Sequence, residues 1–131
     1  MSYDTIVDRM MDWAIGNPVL RALWVEGSSI EEVRRPYRTL ALHLAVDEPD
    51  FAATFQRIEA LLERLLDARV LGVVDARCSA KEFRLTSGGL PWTLTVEKSS
   101  MLAKRPRAHV ASLLCRTDHL THVMDFSLRR K

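Results

Sequence analysis

Apolar positions recur at spacings of three and four near the start of the chain. Ile6, Val7, Met10, Met11 and Ala14 fall on one helical face. The spacing predicts a helix over residues 3–15, capped by Ser2 and stopped by Gly16-Asn17-Pro18. Leu20 to Val25 is a short apolar run ending at Gly27, and its Trp and Val favour a buried strand. Ser29-Ile30-Glu31-Glu32 has capping-box spacing, so a short helix is expected there, ending before Pro36. Thr39 to Val46 alternates. Leu40, Leu42, Leu44 and Val46 share one side of a strand, and Thr39, Ala41, His43 and Ala45 share the other.

From Asp50 to Asp67 the pattern returns to the helical period. Phe51, Phe55, Ile58, Leu61, Leu62, Leu65 and Leu66 make a continuous stripe behind Asp50 as N-cap. The remainder is β-rich. Strands are predicted at Val70–Asp75, Glu82–Thr86 and Trp92–Val96, with a turn at Ser87-Gly88-Gly89 between the last two. Ser99 or Ser100 can cap a short helix that stops before Pro106. Ala108–Leu114 and Leu120–Phe126 are further strand-like segments. The order predicts an α/β (α+β) fold, a mixed β-sheet with helices packed on one face, in a single domain over residues 1–131.

Composition narrows the class. With 131 residues, 47% hydrophobic and 27% charged, the chain is long enough for one core and unlike a disordered or collagenous sequence. Its apolar runs are too short for a transmembrane helix, and Met1-Ser2-Tyr3-Asp4 lacks the start of a signal peptide. Cys78 and Cys115 cannot make a disulfide framework. The expectation is a soluble, cytoplasmic protein with reduced thiols and no membrane partner. The net charge of +2 hides an asymmetry. Residues 1–97 hold 11 Lys/Arg against 15 Asp/Glu, whereas residues 98–131 hold 8 against 2. A basic final third permits an anionic partner. Lys98–Arg107 has no interleaved aromatics, however, which argues against a nucleic-acid stacking platform.

The loop after the first strand carries candidate chemistry. A strand running into Gly27-Ser28-Ser29 and then a helix leaves backbone N–H groups and hydroxyls that can hold a phosphate. Arg34, Arg35 and Arg38 follow closely and can bind an anion without a metal. The run Asn17 to Ser28, a short helix, an alternating strand ending in Val46-Asp47-Glu48 and then a long helix resembles the nucleotidyltransferase superfamily. That is the DNA polymerase beta-like fold, and the aminoglycoside adenylyltransferase branch is the most similar. The resemblance covers roughly residues 5 to 115, and its specific element is the Gly27-Ser28 loop with its spacing. It implies Asp-x-Asp on the next strand and a third Asp on a later one, here the strand Leu90–Val96.

The implied acids are missing. The Asp-x-Asp positions fall on Thr39 and Ala41, and the third on Thr93. Two Mg²⁺ ions in such a site need carboxylate oxygens, which a Thr hydroxyl or an Ala methyl cannot replace. The resemblance therefore implies a degenerate site with no catalytic residue and no cofactor. Acids that could stand in are Glu26, Asp47, Glu48, Asp50, Asp75 and Glu97, with Asp47 to Asp50 roughly 20 Å or more along the strand from Thr39 and its neighbours. His43 shares the side of Thr39 and Ala41 and is a candidate cleft residue.

Other constellations are weaker. Cys115, Asp118, His119 and His122 lie close together but match no standard zinc spacing, so no metal is expected. There is no Walker loop and no legible nucleophile–base pair. Trp13, Trp24 and Trp92 are read as core residues. Three functions are compatible with this sequence. The first is an inactive nucleotide- or anion-binding or protein-interaction module. The second is an active Mg²⁺-dependent nucleotidyltransferase on a small hydroxyl substrate, using relocated carboxylates and a nucleoside triphosphate. The third is an unrelated α+β interaction domain that forms a homodimer through an exposed strand edge.

Overall fold

A computed structural model describes residues 2–27, 40–76, 80–104 and 109–115. The fold is α+β, with two α-helices against a six-stranded mixed sheet among the described residues.

Helix α1 spans Tyr3–Ile15. The Ser2 Oγ accepts a hydrogen bond from the Thr5 N–H at 3.2 Å, which satisfies one of the free donors at the helix start. Ile6, Met10 and Ala14 are its buried stripe. Strand β1 follows at Leu20–Gly27 and β2 at Leu40–Val46. A 3₁₀ turn, Glu48–Asp50, leads into helix α2, Phe51–Leu66. Asp50 occupies the N-cap position as expected, but its side chain makes no capping bond. Proline at position 49 holds the turn instead, because its ring fixes φ. Asp67 ends α2 in the left-handed region, φ 52°, and the chain enters the next strand at once.

Strands β3, β4 and β5 span Ala68–Asp75, Lys81–Ser87 and Leu90–Lys98. Each is longer than the apolar pattern suggested, since ladder pairing extends through polar residues such as Arg69, Lys81 and Lys98. Gly88 and Gly89 join β4 to β5 with φ of 56° and 85°. Positive φ at both central residues is what a two-residue hairpin turn demands. Ser87, buried at the start of that turn, accepts a hydrogen bond from the Trp92 indole at 3.0 Å. A 3₁₀ segment, Ser99–Lys104, precedes β6 at His109–Cys115. The predicted helix after Ser29 and the strand-like Leu120–Phe126 lie outside the described residues.

The sheet order is β3-β4-β5-β2-β1-β6. Only β2 and β5 run parallel, and the other neighbours are antiparallel. A parallel pair needs a crossover, here supplied by α2 and the β3–β4 hairpin. Both helices pack on one face of the sheet. Leu23 and Val25 of β1, Leu40, Leu42 and Leu44 of β2, and Trp92, Leu94 and Val96 of β5 meet Ile6, Met10, Ile58 and Leu62 in one core. Two long-range bonds hold the helices in place: Tyr3 Oη donates to the Pro91 carbonyl at 2.7 Å, and Arg9 to the Leu65 carbonyl at 3.2 Å. Among the described residues no helix is long and apolar enough to cross a membrane.

Candidate functional site

Strand alternation sends every second residue to the face opposite the helices. The register then decides which of them meet. Trp24 of β1 lies across from His43 of β2, which lies across from Thr95 of β5. Glu26, Ala41 and Thr93 form the next cross-strand row toward the Gly27 end of β1. Ala45 and Glu97 form a row in the other direction. The central strands therefore carry a strip containing Trp24, Glu26, Ala41, His43, Thr93, Thr95 and Glu97.

His43 is the hub of the strip. Its Nε2 stands 3.6 Å from the Glu26 carboxylate and its Nδ1 stands 3.8 Å from that of Glu97. Glu97 is 1% exposed, His43 12% and Glu26 22%, so the cluster grades from interior to solvent. Trp24 is fully buried and stacks on His43 with ring centroids 5.4 Å apart. Its indole N–H donates to Glu26 at 2.8 Å, across two residues of the same strand. The buried Nδ1 of His43 has no hydrogen-bond partner among the described residues. A neutral imidazole can donate through only one nitrogen, whereas the protonated ring can donate toward both carboxylates. The cluster thus brings side chains of three adjacent strands, β1, β2 and β5, to one place.

This arrangement does not build a metal centre. One carboxylate sits at each nitrogen of the ring, on opposite sides, so a single ion cannot meet all three groups. Among the described residues no group of three or more His, Cys, Asp or Glu side chains is placed to hold a metal.

The sequence-level candidates sort clearly. Gly27 ends β1 and pairs with His109 of β6. Ala41 and Thr93, two of the positions where carboxylates were expected, are direct neighbours across the parallel β2–β5 pair. Ser28, Ser29, Arg34, Arg35, Arg38 and Thr39 lie outside the described residues. So do Cys78, Asp118, His119 and His122; Cys115 ends β6 opposite Ala22. Of the substitute acids, Glu26 and Glu97 converge on His43. The others go elsewhere. Asp47 pairs with Arg21 at 3.6 Å, Glu48 accepts from Ser100 Oγ at 2.6 Å, Asp75 pairs with Lys81, and Asp50 stays in its 3₁₀ turn.

Sequence reasoning placed Trp24 in the core and left it out of the site. The signal was present, since Trp24 and Glu26 alternate with Leu23 and Val25. What was missing was the register that sets Trp24 against His43. A separate open cleft of about 410 Å³ lies on the helix side, with Phe55 and Glu59 of α2, Val73 of β3 and Phe83 of β4 in its lining. No protein-family model matches the chain, and a search of curated proteins finds no significant match.

Proposed function

We propose that this protein is a nucleotidyltransferase-like domain that binds a nucleotide or another phosphate-bearing anion without metal-dependent group transfer. By sequence, Gly27-Ser28-Ser29 and Arg34, Arg35 and Arg38, which follow β1 in the chain, supply the anion-holding groups. One observation carries the reading. Ala41 and Thr93 stand side by side in register beside the end of β1, at the positions where the resemblance expects acids. An Ala and a Thr there leave a floor without the negative charge that two Mg²⁺ ions need. Glu26, the nearest acid in that row, is already bonded to the Trp24 indole and faces His43.

The test is calorimetric titration of ATP and GTP into the full chain, with and without Mg²⁺. Binding that is unchanged when Mg²⁺ is removed is the expected result. Binding that appears only with Mg²⁺, together with pyrophosphate release, would mean that relocated acids form a working metal site. No binding under either condition would refute the nucleotide reading and leave a protein-interaction module.

A further inference from the structure

We propose that the cleft between α2 and the β3–β4 hairpin is a binding site for a small organic cation, an ammonium group carried on an apolar body. It uses none of the residues named for anion binding, so the two readings stand or fall separately.

The cleft lies where the helical layer leaves the sheet uncovered. Across the β3–β4 ladder Val73 pairs with Phe83, and Asp75 with Lys81. Phe83 is buried in the core, and alternation puts the other three on the same, helix-packed side. Yet Val73 is 44% exposed. Phe55 of α2 packs on Phe83 with ring centroids 5.1 Å apart, and Glu59 follows one helical turn later on the same helix face. Between this helix face and the two cross-strand pairs is the open space of about 410 Å³. That volume falls within the roughly 300–1,000 Å³ of small-molecule sites, which are likewise apolar with a few polar groups.

The charges of the lining select the ligand. Three of the lining side chains are charged, Glu59, Asp75 and Lys81. Asp75 and Lys81 form an ion pair with each other, so their charges cancel. Glu59 is exposed and makes no ion pair or hydrogen bond through its carboxylate among the described residues. The cleft therefore keeps one uncompensated negative charge beside an apolar floor. An apolar cation answers both. Its body covers Val73 and the edges of Phe55 and Phe83, and its ammonium donates to the Glu59 carboxylate. An anion of the same shape would set its charge against Glu59, and Lys81, the one cation of the lining, is already held by Asp75. A neutral molecule of that shape gains the apolar contact alone.

The test is a titration of the full ¹⁵N-labelled chain, followed by amide shifts in low salt, with three probes of one shape: phenethylamine, phenethyl alcohol and 3-phenylpropionate. Phenethylamine should give saturable shifts at Glu59, Val73 and Lys81 with a Kd of roughly 1–10 mM, the range for so small a ligand. 3-Phenylpropionate should bind at these residues at least about fivefold more weakly. Glu59→Gln, a substitution at an exposed helix position, should weaken phenethylamine at least about threefold while leaving the affinity for phenethyl alcohol within about twofold, a separation that a merely structural role for Glu59 would not produce. The absence of saturable shifts at these residues up to about 20 mM phenethylamine overturns the proposal. So does equal affinity for the amine and the carboxylate, or an affinity for the amine that Glu59→Gln leaves unchanged.

Discussion

Substituting Trp24→Phe probes the indole–carboxylate bond within β1 that orients Glu26 beside His43. The indole is fully buried, donates to Glu26 at 2.8 Å and stacks on His43 at 5.4 Å. Phenylalanine keeps an aromatic ring against the imidazole and removes two things. The hydrogen bond goes to a carboxylate, a class worth about 1.5–3 kcal/mol, with the lower half appropriate because Glu26 is partly exposed. The smaller ring also leaves about 40 Å³ unfilled, which at about 24 cal/mol per Å³ adds roughly 1 kcal/mol. The expected loss is therefore about 2.5–3 kcal/mol. Urea unfolding followed by far-ultraviolet circular dichroism measures it without relying on the altered fluorophore. Glu26→Gln completes a double-mutant cycle, with an expected coupling of about 1 kcal/mol between the two positions. A loss under about 0.5 kcal/mol, or no coupling, would refute the reasoning that the indole–carboxylate bond stabilises the fold.

Two further perturbations test the frame around the site. Tyr3 Oη donates to the Pro91 carbonyl, and burial pushes its pKa above the ordinary value of 10.0. A raised phenol pKa means that the folded state favours the protonated form. The contribution is fully present below pH 10 and disappears as pH rises through the folded value. Tyr3→Phe should cost about 0.5–1 kcal/mol at neutral pH and flatten that alkaline loss, as chemical denaturation at pH 7 and above pH 10 would reveal. Gly89→Ala should cost about 1–2 kcal/mol by thermal unfolding, from backbone strain alone, because φ is +85° and an added Cβ meets no neighbour within 4 Å.

Much of the scaffold was legible in the sequence because its periods are clean. The 3–15 stripe and the Phe51–Leu66 stripe each named their helix to within a residue. The alternation of Leu40, Leu42 and Leu44 against Ala41 and His43 named both faces of β2. Strand ends were less legible, since Arg69, Lys81 and Lys98 join ladders for the sake of backbone pairing rather than apolar burial. The site divided in the same way. The side of β2 that carries His43 was readable from alternation alone. The two carboxylate neighbours of His43 were not, because Glu97 reaches it only through the parallel β2–β5 pairing of residues about fifty positions apart. Likewise Glu26 and Trp24 could be assigned to one side of β1, but no local pattern states that β1 lies beside β2 with Trp24 against His43.

The placement of β1 between β2 and β6 has a consequence for how the chain reaches this state. The β4–β5 hairpin and α2 are local and can form within microseconds. The β1–β6 ladder joins Ala22 to Cys115, and loop closure over that distance carries an entropic cost before any contact repays it. During synthesis, β1 emerges early and waits with one edge unpaired until residues 109–115 have left the ribosome. Throughout that interval the strand that carries Trp24 and Glu26 keeps an edge open to wrong partners, even after His43 of β2 and Glu97 of β5 have joined it.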